Sequence, residues 1–268
     1  MLSELLHRLC SRALPAARAL GHWREHRDIA KRHGRVRAAW AGHLAASRAA
    51  ILEAADRAPA RRRCVVIGAG DCLDVPVAEL AARFGSVVLA DVVIGRGARR
   101  LEKEFPGRVQ GVVWDASGAL ARLAAVRAAV DAREAARILA EADPGPPPGG
   151  EADFLVSANC LSQLGLVPGH SLPAQARDKD LPEKCARAAG RRHVAWLGAR
   201  PGLRLLLADA AELDIGPDGR LLKRVTLYER FGLPRPEKTW RWDLAPIPEW
   251  SPDFARMHEV GVWTWPPR

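Results

Sequence analysis

Five short apolar runs, each closing on a glycine, an acid or an amide, set the frame of this chain. Cys64-Val65-Val66-Ile67 stops at Gly68-Ala69-Gly70, residues 86–90 stop at Asp91, and 109–114 stop at Asp115. Residues 154–157 lead to Asn159, and 203–208 stop at Asp209. Runs this short, apolar at nearly every position, read as strands buried on both faces, the pattern of a parallel sheet. Between them lie segments with helical spacing at 75–84, 96–105, 120–142 and 182–199, with Asp74 a candidate cap and Pro76 near the first turn of its helix. Repeated strand, helix, strand units require right-handed crossovers, so the expected architecture is a doubly wound, mostly parallel α/β sheet with helices on both faces.

The flanks differ in character. From Trp23 to about Ala55 there is no proline, and Ile29, Val36, Trp40, Leu44, Ile51 and Leu52 keep one helical face, which predicts one long helix or two, broken at Gly34. Residues 144–150 hold four prolines and three glycines and cannot be helix. The stretch 165–180 is polar and irregular and is expected to be a lid rather than a connection. Five of the nine tryptophans fall in the last 29 residues, where 238–243 and 259–265 alternate as antiparallel strands do. A long-looped C-terminal hairpin closing one sheet edge follows. The expected division is residues 1–60 as a basic helical arm and 61–268 as the sheet domain.

The net charge of +10 is unevenly placed: residues 1–63 carry 14 Lys+Arg and 5 Asp+Glu, whereas 64–268 carry 27 and 26. The chain is thus a nearly neutral body with a basic arm. A nucleic-acid partner stays open on that charge but is not indicated by it, since Arg outnumbers Lys 35 to 6 and a GC-rich genome alone yields such usage. Five cysteines, Cys10, Cys64, Cys72, Cys160 and Cys185, show no C-x-x-C and no neighbouring histidine at ligand spacing. They are expected to be reduced thiols of a cytoplasmic protein without a metal site. The uncharged run 154–176 is long enough to span a bilayer, but its Ser157, Asn159, Ser162, Gln163 and Pro168 argue against it.

In an open α/β sheet ligands bind beyond the carboxyl ends of the strands, where the strand order reverses. Gly68, Ala69 and Gly70 follow the first strand, where absent or small side chains admit a ligand to the backbone. Asp91 comes 21 residues after Gly70, close to the spacing of an acid that accepts from ribose hydroxyls. Asp115 at the third strand end is placed to accept from an adenine amino group, and Asn159 follows the fourth. Together these predict a nucleoside crevice. A nicotinamide dinucleotide is disfavoured because the third glycine of G-x-G-x-x-G would be the bulky Leu73.

The segment Val66-Ile67-Gly68-Ala69-Gly70-Asp71-Cys72-Leu73-Asp74, followed by Val88-Leu89-Ala90-Asp91, resembles the class I S-adenosylmethionine-dependent methyltransferases. It is similar in particular to little-characterised bacterial members with a Gly-Ala-Gly-Asn-Cys-type loop, which Phe154-Leu-Val-Ser-Ala-Asn-Cys-Leu-Ser-Gln-Leu164 and Arg191-Arg192-His193 also resemble. The resemblance covers about residues 60–268. It implies a seven-stranded Rossmann-like sheet with its last strand antiparallel. It also implies S-adenosyl-L-methionine as cofactor, contacted by Gly68, Ala69, Gly70, Asp71, Asp91, Asp115 and Asn159. Val66 stands where the family's loop has an acid and Cys72 where it has its last glycine, which leaves Asp71 or Asp74 to face the methionine amino group.

The expected reaction is in-line methyl transfer to a small-molecule acceptor, with Asn159 orienting the acceptor, Ser162 and Gln163 just beyond it, and His193 as general base. Trp240 and Trp242 either stack on an aromatic acceptor or pack the hairpin, and His170 sits in the expected lid. An RNA or protein methyltransferase gripping its acceptor with the arm, and a non-enzymatic binding protein on the same fold, are the alternatives.

Overall fold

The computed structural model describes residues 11–126, 130–173 and 178–267. Eight strands form its central sheet: β2 (Arg63–Ile67), β3 (Ser86–Asp91), β5 (Val109–Val113), β6 (Phe154–Ala158), β7 (Leu203–Ile215), β8 (Leu221–Thr226), β9 (Lys238–Ala245) and β10 (Ala255–Trp265). The order is β5-β3-β2-β6-β7-β10-β9, with β8 paired to β7 outside that path. Neighbours from β5 to β7 are parallel, and β10 runs antiparallel to both β7 and β9. This is a mostly parallel, Rossmann-like sheet with its last strand reversed. The chain leaves β2 outward for β3 and β5, then returns to the other flank of β2 for β6, so the strand order reverses between β2 and β6. A two-stranded sheet joins β1 (Arg12–Ala13) to β4 (Val93–Ile94).

The helices are α1 (Pro15–Ala19), α2 (His22–Asp56), α3 (Val77–Arg83), α4 (Arg96–Glu104), α5 (Leu120–Ala124), α6 (Ala132–Glu141), α7 (Gln163–Ser171) and α8 (Leu181–Gly198). Strand periodicity distributes them. In β2, Val65 and Ile67 join one apolar layer with Leu120, Leu139 and Trp196. Cys64 and Val66 join the other with Ile51, Leu80 and Ala98. Every residue of β6 is buried, at about 1.5–3 kcal/mol for each large apolar side chain. No helix among the described residues is long and apolar enough to cross a membrane.

Several local expectations need correction. The long helix α2 bends at Val36 (φ −117°, ψ 31°), not at Gly34. Asp74 does not cap α3: its carboxylate accepts from Asn159 instead, and Pro76 occupies the cap without a side-chain bond. The single helix expected over 120–142 is two, because Asp131 accepts from the Glu134 N–H at 2.7 Å and starts α6 afresh. Residues 127–129, between α5 and α6, lie outside the described residues, as do Cys10 and residues 174–177 of the expected lid.

The largest correction concerns that lid, since residues 163–171 form α7. Its glycines serve close packing: a Cβ on Gly165 would lie 2.2 Å from the Cys185 carbonyl oxygen, and one on Gly169 2.6 Å from Pro182 Cα. Gly165→Ala is therefore expected to cost about 1–3 kcal/mol by forcing α7 from α8. Thermal unfolding of the variant reads this as a drop of several degrees in Tm, and an unchanged Tm would refute the contact.

Strand β7 also runs on past Asp209 to Ile215. The acid does not end the strand, because His258 on β10 lies beside it, with Nδ1 2.9 Å from Asp209 Oδ1, and Arg256 pairs with Asp214 at 2.7 Å.

Candidate functional site

A crevice opens beyond the carboxyl ends of β2, β3 and β6, at the point where the strand order reverses, and α2 and β9 form its far wall. It has two lobes, of about 850 and 430 Å³ counting their open mouths. His22, Gly68, Asp91, Val92, Cys160 and Gln163 line both lobes.

The glycine loop is built for close approach. Gly68 has φ +78°, and a Cβ there would lie 2.5 Å from the Ala158 carbonyl oxygen and 2.8 Å from Cys160 Cβ. Gly70 has φ +46° and its N–H donates to Asp91 Oδ2 at 2.9 Å. Cys72 has a left-handed backbone with φ 57°, a conformation that costs a non-glycine residue about 1–2 kcal/mol.

Asp91 accepts from Gly70 N–H and, through Oδ1, from Val93 N–H at 3.0 Å. Burial raises its pKa, against the lowering effect of the Val93 and Gly70 N–H groups and His26. The Val92 N–H also donates to Asp91; a carboxylate has about four lone-pair directions, so one is left. Asp115 lines the smaller lobe with Trp114 and Ala116. Three of its acceptor directions are taken, by Ser117 N–H at 2.9 Å, Ser117 Oγ–H at 2.6 Å and Leu120 N–H at 2.9 Å.

Asn159 and Asp71 both line the larger lobe with Ala69 and Gly70. Asn159 follows β6 in the left-handed region (φ 48°); its Nδ2 donates to Asp74 Oδ2 at 2.6 Å while its buried Oδ1 has no partner. Asp71 accepts from Gly97 N–H at 2.8 Å, and its other oxygen lies 3.5 Å from His26 Nε2. It therefore also ties the loop to the start of α4.

His193 is not at the crevice. Its ring is 1% exposed, stacks on Trp196 and shares a 2.9 Å hydrogen bond with Ser157 Oγ, and burial pushes its pKa down to about 4. A neutral, enclosed imidazole on α8 has no access to an acceptor, so the expectation of His193 as general base is set aside. His170, on α7, is exposed.

The residues that sequence reasoning missed come from α2. His22, His26, Ile29, Ala30, Trp40, His43 and Leu44 all line the larger lobe. Their spacing keeps one helical face, and five of the eight histidines lie in the first 43 residues. That clustering was the available signal. His22 is buried, its pKa pushed down to about 4 by burial, and its Nε2 is without a partner. His43 is lowered by burial and stacks on Trp242 with ring centroids 4.1 Å apart and planes 9° from parallel. Behind them, burial works to raise the Asp209 carboxyl, but His258 outweighs it and holds the acid below its ordinary value; His258 is raised in turn.

Part of the arm's charge is engaged within the chain. Arg35 and Arg32 meet Glu249, Arg27 meets Asp28, Arg12 meets Glu102, Arg62 meets Asp153, and Arg48 donates to the Leu73 carbonyl.

No family model matches the chain, and no curated protein matches it. Among solved structures, it is similar to an S-adenosylmethionine-dependent methyltransferase of Leishmania major, at 14% identity and a TM-score of 0.41, over 92% of this chain and 82% of that one. It is also similar to the 1,6-didemethyltoxoflavin-N1-methyltransferase of Burkholderia thailandensis, solved with 1,6-didemethyltoxoflavin and S-adenosylhomocysteine, at 17% identity and a TM-score of 0.35, over 89% of each chain.

Proposed function

We propose that the crevice binds S-adenosyl-L-methionine and that the chain transfers its methyl group to a small-molecule acceptor. The observation that carries this reading is the joint placement of the Gly68–Gly70 loop and the buried Asp91 carboxylate where the two lobes meet. The residues present fit such a ligand on two counts. Asp91 keeps acceptor capacity for a ribose hydroxyl, and Asn159 Oδ1 is a buried acceptor lacking a donor, the complement of a methionine ammonium. Asp115 takes the smaller lobe, with one acceptor direction left for an adenine amino group.

The sulfonium supplies an activated methyl group when bound, so the protein's task is positioning. Asn159 is held by Asp74, and Asp91 by the loop it steadies. His43 is no base, because its Nδ1 accepts from the Trp240 indole N–H at 3.1 Å. A small acceptor is favoured over RNA by the pairing of Arg12, Arg27, Arg32, Arg35 and Arg62 with acids of the chain, which reduces the charge free for phosphates.

Calorimetric titration with S-adenosylhomocysteine should give one site per chain, displaced by S-adenosylmethionine and indifferent to NAD. Absence of binding by both sulfur compounds would overturn the reading, and tight NAD binding would replace it. Binding without turnover across a broad acceptor panel would favour the non-enzymatic alternative.

A further inference from the structure

Trp40, His43, Leu44 and Trp242 line the larger lobe and not the smaller one. They include an aromatic wall: His43 is stacked on Trp242, Trp40 meets Trp242 edge-on with centroids 5.0 Å apart, and with Trp40 and His43 buried behind it the half-buried Trp242 is the ring most open to the lobe. The wall's polar atoms are selective. The Trp40 indole N–H is satisfied by the Leu244 carbonyl at 3.0 Å, whereas the Trp242 indole N–H is buried without a partner. An indole nitrogen only donates, and a buried donor left unpaired costs stability unless a ligand completes it. His43 accepts at Nδ1 from Trp240, which puts the proton of its neutral ring on Nε2 and makes it a second donor. Among the described residues lining this lobe there is no lysine or arginine, so an anionic ligand would meet no cation here.

Resting on the methyl-transfer reading, we propose that the methyl acceptor is an uncharged planar heteroaromatic compound carrying a ring carbonyl or ring nitrogen. Its ring packs against Trp242, backed by Trp40 and His43, where offset and edge-to-face aromatic contacts are favourable, and its acceptor atom takes the Trp242 indole N–H. The wall joins α2 to the C-terminal hairpin, so acceptor choice is set by residues some 200 positions apart.

The test is calorimetric titration of the S-adenosylhomocysteine-saturated protein with three probes: isoquinolone, valerolactam, which keeps the lactam without the aromatic plane, and quinaldate, which keeps the plane but is an anion. Isoquinolone should bind about tenfold or more tightly than either control. Trp242→Phe, which keeps a ring and removes the N–H, should weaken isoquinolone by about threefold to tenfold and leave S-adenosylhomocysteine binding unchanged. Equal or tighter binding of valerolactam or quinaldate, or no binding of isoquinolone, would overturn the proposal. If Trp242→Phe fails to fold, the comparison of probes on the unaltered protein decides. If S-adenosylhomocysteine fails to bind while isoquinolone binds, the methyl-transfer reading falls and the aromatic subsite stands; the reverse pattern refutes the subsite alone.

Discussion

Replacing Asp91 by alanine should weaken S-adenosylhomocysteine binding tenfold to a hundredfold or more, read by calorimetry. The carboxylate lies at the junction of the two lobes. Losing a charged acceptor of a ribose hydroxyl costs roughly 1.5–3 kcal/mol. The change also strips Gly70 and Val93 of their N–H acceptor, so the loop itself loosens. Asp91→Asn, which keeps one acceptor oxygen, should fall between the two, and unchanged affinity in both would show that the crevice is misassigned. The same residue sets a pH dependence. The ionised form is the full acceptor, and burial raises the pKa. Affinity should therefore decline on acidification from a higher pH than an ordinary aspartate, near 3.9, would allow. A binding curve flat down to the ordinary aspartate range would contradict this.

Acidification should also unfold the protein, and by a large margin. His22 and His193 are both lowered by burial from the ordinary 6.5 to about 4. In the native state both rings stay neutral between those values, while the unfolded chain takes up protons below 6.5. The stability that these two rings account for is thus unaffected above about pH 6.5, lost progressively as the pH falls toward 4, and level below it. Each ring accounts for about 3 kcal/mol over that window. His258, raised by Asp209, contributes with the opposite sign. His193→Gln isolates the effect: urea denaturation of this variant between pH 7 and 4.5 should show a slope of stability on pH shallower by about 1.4 kcal/mol per pH unit. A slope equal to that of the unaltered protein would show that His193 is not held neutral.

Much of this fold is legible in the chain. The five parallel strands carry apolar side chains to two faces at once, and a run such as Phe154-Leu155-Val156 states its own burial. The glycine loop and Asp91 were legible for the same local reason, since each lies directly after a strand whose end is marked. The errors are equally instructive. Gly165, Pro168 and Gly169 read as an irregular lid because glycine and proline are commonest in loops, yet here the glycines let α7 lie against the backbone of α8. Asp209 read as a strand end because a lone acid is costly in a sheet interior, and His258, contributed by a strand far along the chain, removes that cost. His193 read as a base because an imidazole ordinarily titrates near neutrality; its burial against Trp196 and Ser157 is a property of the packed core.

The sequence by itself determined the sheet and the gathering of the glycine loop and the strand-end acids beyond its carboxyl edge, because these depend on residues close in the chain whose patterns record burial face by face. The tertiary structure alone decided what stands opposite that loop. The two indoles and the imidazole of the larger lobe come from α2 and β9, and Trp240 on β9 fixes the proton of His43 on α2. Contacts across that distance leave no periodicity in either segment, so the basic arm becomes the wall of a site only once the chain has folded.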